Sequence, residues 1–599
     1  MKRKQEKSYT KIRGIDGSHS LKDLGPAFSV EYPARRRSGG NVAYFNFDLA
    51  TSMGLIPREH PQELTRELEA ALLDTFALVI INEHDIEHQR HFPPEEIKPN
   101  TYMATRYLQP QHQDKRGLNS GDGRSVWNGE ITHRGKTWDI SSRGTGATRL
   151  SPATTKYGRF FKTGDPSISY GCGCAETDEG FESLFFSEVL HRNGLATERT
   201  LAIISFRGNA AIVVRAYPNL IRPSHLFMPL KQGNHRMMTQ IIDYYIAREI
   251  SNGNYPRSPK RRDERLTMFL DQACARFARA TAQFEDDYIF CWLDWDGDNI
   301  LMDCGIIDYG SVRQFGLCHR GYRFDDDGKF STSLTEQRYK ARYIVQSLLQ
   351  AVAFVQSGTK RPIENFAHHP LLRLFDRRYH QHRRENLLHK LGFNLEQSTA
   401  LVGSAALTHL LKHVAYFEHA QASRGVHKVA DGISHDAIFC LRDILRELPQ
   451  LYLSGKMHLS AQEFIAIIRS SYAKSKDLLL NRYRRNNING FQASYWKLVR
   501  MAAKTSNKSE QQVLLELTMR SSIINKADRI TGDAITVSVA RLLRGLSQLK
   551  PRDIHRILKR FVDHQDLHPE KNSPLPIHGK DAQWLKQFSK IVHELREGT

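Results

Sequence analysis

Residues 291–310 read CWLDWDGDNILMDCGIIDYG. Asp298 and Asn299 stand at one end of a short apolar segment. Asp308 stands at the other end, nine positions after Asn299. Ile300-Leu301 and Ile306-Ile307 between them predict a β-hairpin that fixes the polar ends against one another. Nucleoside-triphosphate chemistry needs this residue set: one Asp as base, and an Asn with a second Asp to hold a magnesium ion against the phosphates.

Working outward, 599 residues exceed one typical core, so two or more lobes are expected. Residues 1–40 are polar and basic and read as a loose tail. Residues 60–82 read as a helix running into apolar 76–81, and residues 100–180, rich in Gly, Ser, Thr and Asp, read as short strands joined by functional loops. Residues 201–204 and 210–214 flank Arg207-Gly208-Asn209 as a hairpin. Helical spacing marks 234–251 and 264–284. From about 335 onward helices are predicted over 343–355, 405–417, 438–448, 461–483, 511–524, 534–549 and 553–562. The expected class is α+β, a protein-kinase-like bilobal fold with a strand-rich N-terminal lobe and a large helical C-terminal lobe. Its parts are a basic flexible tail (1–40), a nucleotide-binding N-lobe (41–230), a helical lobe with both motifs (231–365) and a divergent helical extension (366–599).

Composition narrows the class. No run approaches ~18 apolar residues, so no membrane span is expected. The start, Met1 to Lys7, is basic with no apolar core after it, which argues against a secretory signal. Seven thinly spread cysteines argue against a disulfide framework and for a reducing cytoplasm. The net charge of +21 suits polyanion partners such as nucleic acid or nucleotide phosphates. The basic runs at 35–37, 260–262, 377–378, 383–384 and 484–485 are scattered, however, and read as solvated surface charge.

Several upstream loops carry candidate chemistry. Gly121-Asp122-Gly123-Arg124 suits close approach of backbone N–H groups to phosphate, with Arg124 adding charge; a tight turn is the plainer reading. Arg143 precedes Gly144-Thr145-Gly146 at a strand end, where a cation can contact phosphates or lie exposed. Arg215 and Arg222, seven apart, could close two guanidinium forks on a nucleotide or lie on the surface. Cys172-Gly173-Cys174 lacks a second pair, so two free thiols in a loop are expected rather than zinc. His368, His369, His380, His382 and His389 lack an accompanying carboxylate or Cys pattern and are not read as a metal site.

Taken in order, SGDGRSVWNGEI, WDISSRGTGATRLSP, FFSEVLHRNGLATERTLAII, VVRAYPNLIRP and GDNILMDCGIIDYG resemble the selenoprotein O family of protein adenylyltransferases, over about residues 100–360. Asp327-Gly328-Lys329-Phe330 and the segment with Gln346-Ser347-Leu348-Leu349 look like the family too. The resemblance implies a kinase-like fold with ATP flipped and AMP transferred to Ser, Thr or Tyr hydroxyls of proteins, this chain itself included. By position, Asp298 is the implied general base, and Asn299 and Asp308 the implied ligands of Mg²⁺, with Mn²⁺ as alternative. Gly121, Gly123, Arg124, Asp165, Arg215, Arg222 and Asp308 fall at nucleotide-contacting positions. Arg143 stands where the family has a phosphate-binding lysine. The helix glutamate that pairs with that lysine falls on Ser183, with Glu182 beside it. The family's second Asp-Gly-Arg falls near Gly164-Asp165-Pro166, and the Cys172–Cys174 loop reads as an insertion. The leading reading is a Mg²⁺-dependent protein adenylyltransferase. The alternatives are a catalytically impaired ATP-binding pseudokinase scaffold, ordinary phosphoryl transfer, and nucleic-acid binding by residues 365–599.

Overall fold

The computed structural model describes residues 9–109, 112–165, 167–168, 172–256, 259–291, 293–310, 312–323, 331–422, 432–433, 437–545, 549–571 and 580–597. Pro166 and the stretch 327–330 therefore lie outside the described residues. In the N-terminal half an antiparallel sheet is built from β1 (Ser29–Tyr32), β2 (Asn41–Phe45), β3 (Tyr102–Thr105), β4 (Ser125–His133), β5 (Lys136–Arg143), β6 (Arg199–Ser205) and β7 (Ala210–Tyr217). Their spatial order is β1-β3-β4-β5-β7-β6-β2, and a two-residue strand, Ala175–Glu176, pairs with the start of β7.

Successive side chains of a strand face opposite ways, and this sheet buries both faces. Ile203 and Val213 pack with Phe181 and Leu184 of helix α1 (Thr177–Arg192). Their neighbours Ile204, Ile212 and Val214 pack on the other side with Leu68, Leu72 and Phe76 of the helix Arg66–Phe76. The expected hairpin at 201–214 is β6 and β7, with Asn209 turning at φ 64°. The loose tail expected for residues 1–40 is folded from residue 9 on. Ile12 is buried beside Leu72, and β1 pairs with β3 in the register Ser29↔Thr105. Its polar composition conceals Ile12, Ile15, Leu21 and Phe28, whose partners lie far along the chain.

The second half is helical. It begins with α2 (Pro223–Gln232), α3 (His235–Ser251) and α4 (Arg262–Asp286). It continues through α5 (Leu334–Ser357), α6 (Pro370–Lys390), α7 (Ala405–His419), α8 (Leu441–Leu453), α9 (Arg482–Ser506) and α10 (Glu510–Ile524). It ends with α11 (Ala534–Gly545), α12 (Pro551–His564) and α13 (Lys580–Glu594). The helix expected over 461–483 is broken. It stops at Ile468, because Arg469 bridges Phe439 and the Ser470 N–H donates to the Ile438 carbonyl. A new helix, α9, then starts under an Asn481 cap.

The stretch expected as one extension, 366–599, is divided between two cores. Residues 387–517 close a core of their own, around Phe417, Phe464 and Phe491. Residues 530–592 return to the principal core, where Phe561 and Phe588 lie against Phe185 of α1 at ring distances of 5.6 and 5.9 Å. Several basic residues expected as solvated charge are engaged: Arg383 holds Glu285, Asp286 and Glu418, and Arg378 holds Asp271. Among the described residues no helix is long and apolar enough to cross a membrane.

Candidate active site

Four arginines expected as phosphate contacts come together with the Asp298–Asp308 hairpin, each on a different support. Arg143 ends β5. Its Nη2 donates to Glu198 Oε1 at 3.1 Å and to the Ile307 carbonyl. Arg215, on β7, donates from Nη1 to the other oxygen of the same carboxylate at 2.8 Å. Glu198 is 3 % exposed, and one buried acid thus serves two buried guanidinium groups. Arg124, just before β4, forms a two-pronged pair with Glu179 at 2.9 and 2.6 Å. Arg222 caps α2, donates to the Asp298 backbone carbonyl at 2.5 Å, and lies over the Tyr107 ring at 4.4 Å.

On α1 it is Glu179, and not Glu182, that pairs with the arginines of the site. The expected position, Ser183, is buried, and its neighbour Glu182 has Thr536 as a hydrogen-bond partner. Glu179 lies one turn earlier on α1, on the face of Ser183. Besides holding Arg124, it stands 3.9 Å from Arg143. It also sits in the first turn of α1, where the helix dipole favours an anion. The sequence signal was an acid four residues before Ser183. Glu198 had no comparable signal, because its two partners lie in different strands.

The glycines have a packing reason. A Cβ at Gly121 would lie 2.0 Å from the Thr105 carbonyl oxygen, and one at Gly123 would lie 2.9 Å from Ser151 Cα. Asp122 between them braces the sheet, accepting from Thr105 N, Thr105 Oγ1 and Trp127 Nε1 at 3.0, 2.6 and 3.0 Å. Asp165 is not drawn into the cluster. Its carboxylate accepts from Ser167 N and Oγ, which holds it below the ordinary range, and its cationic neighbours are Arg159 and His84.

The predicted hairpin forms. Ile300 bridges Ile306 in antiparallel fashion, Leu301 N donates to Gly305 O at 2.7 Å, and Cys304 turns the chain. A parallel bridge from Ile306 to Thr197 ties it to the segment carrying Glu198. Tyr309 reinforces the tie. Its hydroxyl donates to the Glu198 carbonyl at 3.1 Å and its ring stacks on Phe186 of α1 at 6.0 Å. Burial pushes Asp308 up, but Arg143 and Arg124 outweigh it and hold the carboxyl below its usual range. Asp298 goes the other way. Burial, then the Asp296 and Asp294 charges, push it well above the carboxylate range. Asp296, half-buried beside Asp294, is pushed up to about 8. Asn299 Nδ2 lies 3.4 Å from Asp294 Oδ2. Asp294 and Asp296 escaped the sequence reading, although their alternate spacing with Asp298 was visible.

A cleft of about 440 Å³ opens beside Asp294 and Asp296, with Phe227, Trp295, Tyr343 and Lys115 in its walls. The Cys172–Cys174 loop folds onto the turn after Arg143, with Gly146 N donating to Gly173 O at 3.0 Å, and both thiols are free. The histidine patch serves α6: His369 accepts from Leu371 N at its start and His382 pairs with Glu385.

A family model described as protein adenylyltransferase SelO matches residues 48–533. A protein nucleotidyltransferase YdiU of Bacillus cereus is 26% identical over 335 residues, covering 54% of this chain and 58% of that one. A protein nucleotidyltransferase YdiU of Burkholderia pseudomallei is 23% identical over 336 residues, covering 53% and 59%. The matched part is thus under two thirds of each relative's length. With the family model spanning most of its length, on a strand-rich lobe followed by a helical one, the chain belongs to the SelO family.

Proposed function

We propose that this protein is a Mg²⁺-dependent adenylyltransferase that moves AMP from ATP to Ser, Thr or Tyr hydroxyls of proteins, itself among them. The carrying observation is the convergence of Arg124, Arg143, Arg215 and Arg222 on the hairpin that bears Asp298, Asn299 and Asp308. The donor set fits the group: guanidinium forks match phosphate oxygens, and an Asn oxygen with a carboxylate suits a hard divalent ion. Asn299 and Asp308 would hold Mg²⁺, or Mn²⁺, which supplies charge neutralisation at the phosphates when bound.

The chain's own groups then have distinct tasks. Arg143 and Arg215 are held in place by the two oxygens of the Glu198 carboxylate between them. Arg124 and Arg222 extend the cationic wall toward the hairpin. The acceptor hydroxyl oxygen bonds to the α-phosphorus, the P–O bond to the β-phosphate breaks, pyrophosphate leaves, and the hydroxyl proton passes to Asp298. The raised proton affinity of Asp298 favours that last step. The cleft walled by Trp295, Tyr343, Asp294 and Asp296 lies next to the segment that carries Asp298 and is the side from which an acceptor side chain would approach. All seven cysteines are free thiols, which agrees with a cytoplasmic setting.

The test is transfer of label from α-labelled ATP to protein, with Asp308→Ala as control. Label in the native chain, lost at least ~10²-fold in the variant, is expected. Label from γ-labelled ATP alone would replace AMP transfer with phosphoryl transfer. One observation favours a second reading, an ATP-binding scaffold: Arg143 is already engaged by Glu198 and the Ile307 carbonyl. Thermal stabilisation by ATP without any transfer would decide for it.

A further inference from the structure

Asp294, Asp296 and Asp298 each bring a carboxylate oxygen within 4.8 Å of the other two. Gly297 makes this possible. Its N–H closes a turn onto the Asp294 carbonyl at 3.0 Å, at φ 66°, and a Cβ there would lie 2.8 Å from the Pro223 ring. Calcium loops present acids at the same alternate spacing.

The cluster also holds unmet acceptors. Oδ1 of Asp298, a residue 3 % exposed, is buried without a hydrogen-bond partner, and so is Oδ1 of Asp296. Arg222 reaches the backbone oxygen of Asp298 through its hydrogen bond. Lys115, in the wall of the adjoining cleft, and the Arg222 guanidinium are the cations that act on these carboxyls. A second trio of ligand atoms, from His19, Glu130 and Asp139, has the same spacing but is already closed by the Arg248 guanidinium, which pairs with both acids. Of the two trios, only the one in the hairpin approach keeps unpaired buried carboxylate oxygens.

We propose that Asp294, Asp296 and Asp298 bind a hard divalent cation of the Ca²⁺ or Mn²⁺ class, at a site that adjoins the Asn299–Asp308 pair, where Asn299 Nδ2 lies 3.4 Å from Asp294 Oδ2. Oxygens that share a Ca²⁺ ion through bonds of about 2.4 Å stand no more than about 4.8 Å apart, and these three carboxylate oxygens fall within that limit. The ion neutralises the approach to the hairpin and fixes the loop between Trp295 and Pro223. The proposal needs no nucleotide, but it shares Asp298 with the transferase reading: the ion must leave that carboxylate before Asp298 can accept the hydroxyl proton.

Trp295, set between two of the ligands, supplies the probe. The full chain, stripped with chelator and free of nucleotide, is titrated with Tb³⁺ while tryptophan is excited. Saturable sensitised emission, displaced by Ca²⁺ or Mn²⁺, is expected. Asp296→Asn and, separately, Asp294→Ser should weaken it on the order of 10-fold or more, while Asp308→Asn leaves it within about twofold. Ca²⁺ should also raise the thermal midpoint of the native chain and leave that of Asp296→Asn unmoved, with the variant in chelator melting no lower than the native chain. Undiminished Tb³⁺ binding in the two Asp variants would overturn the proposal, as would loss of emission in Asp308→Asn, which places the ion at the other pair.

Discussion

The two walls of the candidate site handle buried charge in opposite ways. On the cationic wall every guanidinium has a carboxylate or carbonyl of the chain against it: Arg124 on Glu179, Arg143 and Arg215 on Glu198, Arg222 on the Asp298 carbonyl. On the acidic wall Asp296 and Asp298 bury oxygens with no partner, and their carboxyls are pushed up. A wall neutralised from within keeps its shape without a ligand. A wall whose buried oxygens lack partners is strained until something binds it, because an unsatisfied buried polar group is costly. The cationic wall is thus closed from within, and the acidic wall is not.

The largest expected effect comes from breaking the stable wall. Glu198→Gln leaves two buried guanidinium groups without their shared anion and should cost ~3–5 kcal/mol in denaturant unfolding. A loss under ~1 kcal/mol would mean that Arg143 and Arg215 find other partners and that the wall is not internally neutralised. The mirror experiment on the acidic wall should separate activity from stability. Asp298→Asn is expected to lower AMP transfer at least ~10²-fold, about 2.7 kcal/mol of barrier, while the metal-free midpoint rises through lost repulsion. A fall in midpoint would remove the distinction between the walls.

The smallest effect concerns the support of the cationic wall. His555 on α12 is 2 % exposed, and burial lowers it from 6.5 to about 4, against the pull of Asp48. The unfolded chain therefore binds more protons between those two values, so stability falls as pH drops through that window. The loss is about 2 kcal/mol by about pH 5. Since α12 packs on α1, which carries Glu179, hydrogen exchange in α1 should quicken on acidification before it does in the 300–308 hairpin. A His555→Asn chain whose stability keeps the full pH slope would count against this coupling.

Legibility in the sequence followed the range of the interactions. The 300–306 hairpin, β6 with β7, and most helices are decided by local periodicity and were readable. So was the order of Arg124, Arg143, Arg215 and Arg222, which the family resemblance put in register. Glu198 was not readable, because its meaning depends on Arg143, 55 positions away, and on Arg215 in another strand. Residues 9–40 misled for the same reason: a polar composition hid a few apolar residues whose partners are remote. The helix across 469–481 failed because tertiary pairing at Arg469 and Ser470 overrode a helical pattern. Asp165 shows the reverse case, a position matched by register whose carboxylate accepts a local bond from Ser167 and stands apart from the arginines.

The return of residues 530–592 to α1 has a consequence for biosynthesis. Leu567 N donates to Asn193 Oδ1 across 374 positions, and Phe561 and Phe588 cover Phe185. A ribosome releases the N-terminal lobe long before these helices exist. The nascent lobe must wait with the apolar back of α1 uncovered, a state prone to association with other chains. The lobe that holds the arginines is therefore finished last, although it is made first. A chain ended after residue 525 should be cut by protease within α1, where the full chain resists; equal resistance would show that the lobe closes without its final helices.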